Sequence, residues 1–371
     1  MRHRGQGSPD SKYRMNYELR RQASGAMALY NSESRETMHP KKGPWQEAND
    51  LYVHGSGLRQ LLQPSGGPGQ EGPLVIFDVG LGGAANALAA IRCRDDLLRA
   101  KRRVRPLRII SFENDPTPLQ FALENADRLA YPVGSEDAME DILSHRKWSD
   151  GQGTEWMLRL GDFQELILEE SERAEIVFFD PFSPRTNPAM WSRQVLEQVY
   201  QCRKPGGPLR LVTYSTAYGV RASMLLSGFF VGECLLPDGT MGGTEASLFF
   251  SDLNAPLSPR WLSRWSHDRQ PWPPLSKSKD YPRLRKDLQE HPQWSQAIFL
   301  MERPEPTKRN NGPRPKRPPT SAKSATGSQG KKAPGKARPV KRPGKQGETK
   351  KAAFPKQRFA KGKKARKPKS R

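Results

Sequence analysis

Apolar residues recur along this chain at two alternating periods, and the alternation lays out a fold. Residues 74–79 (LVIFDV) crowd branched and aromatic side chains together without polar alternation, which predicts a strand buried on both faces. Asp78 breaks that run near its end; Gly80, Gly82 and Gly83 then form a turn that opens into a helix over residues 84–100. The same alternation continues, with strands over 107–112, 156–160, 176–179 and 209–214 and helices over 116–129, 163–170, 188–203 and 216–227. Asp115 and Pro116 supply an N-cap and a first-turn proline to the second of the long helices. Residues 134–150 read as an inserted helix and loop. Two closing strands, 229–236 and 245–250, are joined by a glycine-rich connection without a helix and predict an antiparallel hairpin at the sheet edge. Strands separated by helices specify an α/β fold with a doubly wound, mostly parallel, Rossmann-like sheet over residues 73–252.

The flanks have another texture. Residues 1–27 are polar and charged and read as a flexible N-terminus. Residues 28–72 carry Trp45, Leu51, Tyr52 and Val53 among turn residues (TMHPKKGPWQEANDLYV), then a helix start and a Gly/Pro linker at 63–72; they read as an N-terminal lid or small subdomain. Residues 253–302 keep Trp261, Trp265, Trp272 and Trp294 and read as an ordered Trp/Pro-rich appendage. Residues 303–371 hold 25 Lys and Arg against Glu305 and Glu348, so they carry the whole formal charge of +23, while the first 302 residues balance at 37 basic and 37 acidic. Nearly devoid of apolar residues, this stretch cannot offset its chain entropy and is expected to be a disordered basic tail.

Cys93, Cys202 and Cys234 form no C-x-x-C pair, and the six histidines show no ligand spacing, so neither a disulfide framework nor a metal site is expected. No apolar run approaches the ~18 residues of a membrane span, and the N-terminus has no apolar core, so a membrane segment and a signal peptide are not expected and a cytoplasmic setting fits.

Candidate chemistry lies at the strand ends. In open α/β sheets the ligand binds beyond the carboxyl ends of the strands, where strand order reverses. Four acids stand there: Asp78, Glu113 (in FEND), Asp162 (in LGDF) and Asp180 (in FFDPFSP). A carboxylate in the place of Glu113 can accept both hydroxyls of a ribose, and Asp162 can accept from an adenine amino group while Phe163 covers the ring. Taken singly, each also reads as a helix N-cap or a surface acid. Asp180 leaves a buried strand, Phe182 can stack on a planar base, and Pro181 exposes a carbonyl; the plain alternative is a strand-ending turn capped by Asp180.

The segments FDVGLGGAANALAA, FEND, LGDF, FFDPFSPRTNPAMWS, TYSTAYGVRASMLLSGFFVG and GGTEAS, in that order and spacing, resemble the methyltransferase domain of the MnmC-type tRNA enzymes, over residues 32–251. TMHPKKGPWQEANDLYV also resembles that family's entry segment. The resemblance implies a class I S-adenosylmethionine-dependent methyltransferase that converts the 5-aminomethyl group of a tRNA wobble uridine, thiolated or not, to 5-methylaminomethyl. It implies methionine and ribose contacts near Gly80, Gly82 and Glu113, adenine near Asp162 and Phe163, and an acceptor amine at Asp180, which would orient the lone pair and take the proton. The bifunctional members continue into a flavin-dependent oxidase, and no second glycine fingerprint follows here, so a stand-alone type without FAD is expected. A separate oxidase, or another system that forms the aminomethyl group, would then be a partner, beside tRNA held through residues 303–371. Where some members have a basic residue near the closing Gly-Gly, this sequence has Thr244. Two alternatives stand beside this reading: an enzyme like the polyamine aminopropyltransferases, and a non-catalytic RNA-binding protein on the same scaffold.

Overall fold

The structure, a computed structural model, describes residues 16–39, 42–64, 72–267 and 271–302. The strand foreseen at LVIFDV is β4 (Leu74–Val79), with all six residues buried. Its alternate residues feed two cores, Leu74 and Ile76 on one face of the sheet, Val75, Phe77 and Val79 on the other. Around it β5 (Leu107–Glu113), β6 (Lys147–Ser149), β7 (Thr154–Leu160), β8 (Ile176–Phe179), β9 (Arg210–Thr213), β10 (Phe230–Leu235) and β11 (Met241–Ser247) build one sheet in the order β10-β11-β9-β8-β4-β5-β7-β6. The pairs β9/β8, β8/β4, β4/β5 and β5/β7 are parallel, and the antiparallel pairings lie toward the two edges. After β4 the chain winds outward through β5 and β7, then returns to place β8 on the other side of β4. That reversal is the switch point. Val79 pairs with both Phe112 and Phe179, so three strand ends reach the same level beneath one cleft.

The closing hairpin stands antiparallel at the sheet edge as expected, with β11 beside β9 and β10 outermost. One expectation changes. The polar lead-in is structured from residue 17, because β1 (Tyr17–Arg21) pairs with β2 (Met27–Asn31), which pairs with β3 (Glu36–Thr37). A flexible stretch to residue 27 is thereby corrected for residues 17–27. The π-helical turn Ala48–His54 buries Leu51, Tyr52 and Val53 in the same core as Leu74 and Ile76, so the segment before β4 shares the sheet's core rather than forming its own. Most of the Gly/Pro linker, the residues before 16 and residues 303–371 lie outside the described residues.

The helices Pro259–His267, Tyr281–Gln289 and Gln293–Glu302 follow the sheet. Trp261, Trp265 and Trp294 join the second core, and Trp261 stacks on Tyr218 with ring centroids 5.3 Å apart. Residues 255–257 pair with the outer edge of β10, Leu257 N–H donating to the Val231 carbonyl at 2.9 Å and Glu233 N–H to that of Ala255 at 2.8 Å. The buried Gln293 amide completes this edge: Oε1 accepts from the Val231 N–H at 2.7 Å, and Nε2 donates to the Val231 carbonyl at 2.8 Å and to that of Leu257 at 2.9 Å.

Candidate active site

A cleft of about 630 Å³ opens above the ends of β4, β5, β7 and β8. Its floor is the glycine turn. Gly80 has φ +90°, and a Cβ on it would lie 2.6 Å from the Asp180 carbonyl oxygen, so this position admits only glycine. The turn after β4 and the loop after β8 are thus packed main chain to main chain. Gly82, at φ +51°, faces Met38 of the N-terminal segment, whose sulfur would be 3.3 Å from a Cβ. Gly80 is required by neighbouring main chain, a reason that the local sequence does not contain, whereas at Gly82 the left-handed φ is the stronger constraint because the Met38 side chain can give way.

Of the candidate residues, Gly80, Gly82, Glu113, Asp162, Phe163, Asp180 and Phe182 all line the cleft. Asp78 does not. It is fully buried within the sheet, where Oδ2 accepts from Ser111 Oγ at 2.8 Å, and that hydroxyl oxygen accepts in turn from Trp156 Nε1 at 2.9 Å. Burial pushes its carboxyl up to about 7, and Oδ1 has no partner. A direct cofactor contact by Asp78 is therefore corrected to a place beneath the glycine turn.

Glu113 closes β5 as expected but is already committed. Oε2 accepts from the Gly82 N–H at 3.0 Å, and Oε1 from Asn114 at 2.9 Å and Asp115 at 3.2 Å. Burial raises its pKa, and these three N–H groups hold the rise back. Since a carboxylate offers about four acceptor sites, about one is left, so accepting both hydroxyls of a ribose would require the Gly82 bond to open. Asp162 realises its plain reading as well: Oδ1 caps the helix Phe163–Glu169 by accepting from Gln164 N–H at 2.8 Å. The Phe163 ring is buried edge-to-face against Phe112, centroids 5.2 Å apart, so it forms an apolar floor rather than a cover.

The loop after β8 is held from every side. Asp180 Oδ2 accepts from Asn86 Nδ2 at 2.8 Å, the Pro181 carbonyl from Tyr214 OH at 2.9 Å, and the Phe182 carbonyl from Trp191 Nε1 at 2.8 Å. The Pro181 carbonyl is thus engaged, where the sequence suggested an open one. Glu36 of β3 accepts from the Ser183 N–H at 3.2 Å, from the Ser183 hydroxyl and from Thr186 Oγ1 at 2.5 Å. Burial would raise the Glu36 pKa, but these donors outweigh it and hold the carboxyl low. Burial pushes Asp180 up to about 6, with His39 and Asn86 restraining the rise. The buried Tyr52 hydroxyl also faces Asp180; burial and the neighbouring carboxylate push its pKa up, and it helps to restrain the rise at Asp180.

Sequence reasoning missed what the N-terminal segment brings. Glu36, Met38, His39 and Glu47 line the cleft together with Asp180. The available signal was the run of polar residues in TMHPKKGPWQEA, too many for a segment otherwise turning into core. Thr244 also gains a meaning: it is buried, and Oγ1 accepts from Arg221 Nε at 2.9 Å, so a guanidinium from the helix Tyr218–Leu226 occupies this place.

Five carboxylates (Glu36, Glu47, Glu113, Asp162 and Asp180) share the lining with Arg35 and His39, beside apolar walls from Leu81, Phe112 and Met190. That donor set suits a cationic ligand with a flat apolar part and hydroxyls, and S-adenosylmethionine fits it. Gly80, Gly82 and Glu113 would hold the amino-acid and ribose side and Asp162 with Phe163 the base. Among the described residues no cluster of His, Cys, Asp and Glu could hold a metal ion, and no helix is long and apolar enough to cross a membrane.

Residues 137–235 match a family model described as S-adenosyl-L-methionine-dependent methyltransferase. The chain is similar to the tRNA 5-methylaminomethyl-2-thiouridine biosynthesis bifunctional protein MnmC of Acidovorax sp., 27% identical over 242 residues, covering 63% of this chain and 35% of that protein. The protein of that description from Cupriavidus necator is also 27% identical, with 63% and 34% covered. The chain therefore spans about a third of the length of these curated relatives. The crystal structure of MnmC2 from Aquifex aeolicus shares the fold with a TM-score of 0.53 at 24% identity, covering 73% of this chain and 83% of that one. The chain is thus similar to MnmC-type methyltransferase domains, has the class I methyltransferase fold, and carries in residues 137–235 the match to a family that uses S-adenosylmethionine as its cofactor.

Proposed function

We propose that the domain methylates a primary amine, the 5-aminomethyl group of a tRNA wobble uridine, to give 5-methylaminomethyl-uridine. The observation that carries this reading is the packing of Gly80 against the Asp180 main chain, which sets the donor side of the cleft directly beside a half-buried carboxylate. When bound, the cofactor supplies an electrophilic methyl group on a sulfonium. The residues supply position and charge. Asp180, fixed by Asn86, accepts a hydrogen bond from the incoming ammonium and points it across the glycine turn; Phe182 offers a flat apolar face to the uracil ring. The likeness to MnmC proteins supports tRNA as the carrier of that amine, and the charged stretch 303–371 supports contact with its phosphates.

The test is nucleoside mass spectrometry after incubating the full chain with labelled S-adenosylmethionine and tRNA bearing 5-aminomethyl-uridine. Label in 5-methylaminomethyl-uridine supports the reading. Asp180→Asn should lower turnover by about 10²-fold or more, as loss of an ionic partner in a dry site does, with cofactor affinity by calorimetry unchanged. Wild-type turnover in that variant would remove Asp180 from the reaction.

One observation favours a second reading. The loop after β8 offers a single acid, but the whole cleft gathers five carboxylates, enough to hold a polyamine. Aminopropyl transfer from decarboxylated S-adenosylmethionine to a diamine, with no label entering tRNA, would decide for it.

A further inference from the structure

His39 stands at the cleft wall beside Asp180, yet the mechanism above gives it nothing to do. It is a non-glycine residue held at φ +55°, a sparsely populated conformation that a surrounding structure has to enforce. What enforces its ring is Glu47: Nδ1 lies 3.2 Å from Glu47 Oε1. With Nδ1–H donated to a carboxylate, the neutral imidazole is the tautomer whose Nε2 carries the lone pair. The arrangement is that of a base oriented by an acid, the same logic that positions histidine in hydrolytic triads.

We propose that His39, oriented by Glu47, is the general base that removes the proton from the acceptor ammonium, and that Asp180 acts on the amine as an ionic hydrogen-bond acceptor. This rests on the reading of the acceptor as a primary amine. An ammonium has no lone pair with which to attack. The N–H electron pair stays on nitrogen as that lone pair, the proton passes to Nε2, and the imidazolium charge is met by Glu47 and Asp180. His39 returns to neutral by releasing the proton to solvent through the cleft mouth. Asp180 is the weaker candidate for this role because Oδ2 is already bonded to Asn86 and its carboxylate is the less basic group.

The charged groups acting on His39 are acids from three elements: Glu47 from the helix Pro44–Glu47, Asp180 after β8 and Asp78 in β4. Burial alone would lower its pKa, and these acids outweigh burial and raise it above the ordinary histidine value. The buried Tyr52 hydroxyl faces Asp180 from the π-helical turn. A base with a pKa near working pH is the efficient one, so the rate should rise with pH as the imidazole becomes neutral.

Two measurements test the pair. In the full chain, NMR titration of labelled histidine should show His39 titrating above about 6.5, and Glu47→Gln should lower its pKa by about one unit or more, the usual effect of removing an adjacent opposite charge. In single-turnover assays on tRNA bearing 5-aminomethyl-uridine, His39→Gln should slow methylation by about 10²-fold or more and remove the rising limb assigned to the imidazole. Glu47→Gln should move that limb to lower pH. A residue with only a structural role would lower the rate at every pH without moving the limb. A His39 pKa indifferent to Glu47→Gln would overturn the proposal, as would a His39→Gln enzyme with wild-type rate and profile. If wild type fails to methylate this tRNA, the acceptor assignment fails, and the titration still decides whether Glu47 and His39 form the pair.

Discussion

Asp78 in β4 and Asp180 just beyond the neighbouring β8 both looked from the sequence like groups at the ligand. Their fates differ because strand side chains alternate: position 78 shares a face with Leu74 and Ile76 and turns into the sheet, whereas Asp180 lies just past the end of β8. The buried Asp78 has a consequence for stability. Its folded pKa, about 7, lies above the unfolded value, so between about pH 4 and pH 7 the native state binds the extra proton and stability falls as pH rises. In Asp78→Asn the charge is gone. The fall in Tm between pH 4.5 and pH 8 should be smaller in this variant than in wild type, by about 2–4 °C for each kcal/mol removed. An equal fall in both proteins, measured by scanning calorimetry, would show that Asp78 does not titrate in that window.

At the scale of elements, the appendage tests how the sheet is finished. Beside the main-chain pairing of residues 255–257, Gln293 supplies the acceptor for Val231 N–H and a further donor to the Val231 and Leu257 carbonyls. Gln293→Ala leaves the buried Val231 N–H without its acceptor and each of these carbonyls with one donor fewer, and should cost about 2–3 kcal/mol of stability in urea unfolding. Cofactor affinity should not change, because the site lies at the other strands' carboxyl ends. The strands themselves were legible: LVIFDV and IVFF have no polar alternation, and both are buried throughout. The hairpin's antiparallel pairing and edge position were legible from the short connection, but which of its strands lies beside β9 depends on which neighbour buries Ala246 and Ser247, a long-range choice. The strand Tyr17–Arg21 was missed because its burial alternates weakly, with Tyr17 alone fully covered.

For the whole molecule, charge and catalysis are separated along the chain. Residues 303–371 hold all of the net charge, and the described residues hold the cleft. If the tail captures RNA, deleting it should raise the KM for tRNA at physiological salt several-fold, with kcat little changed and the salt dependence of KM reduced. An unchanged KM and an unchanged salt slope would remove the tail from capture. The acids at the ends of β5, β7 and β8 were read from sequence because each follows an apolar run directly. The second half of the site was not, since Glu36, His39 and Glu47 lie more than twenty residues before β4, the first strand of the large sheet, and carry no periodic signal of their own. Local order of apolar and polar residues determined the strands, the helices and the glycine turn, because burial period is written in neighbouring positions. Which of those acids reach the cleft, why Gly80 must be glycine, and what faces Asp180 were decided only when separate segments packed together, because those contacts depend on distance in space rather than on spacing in the chain.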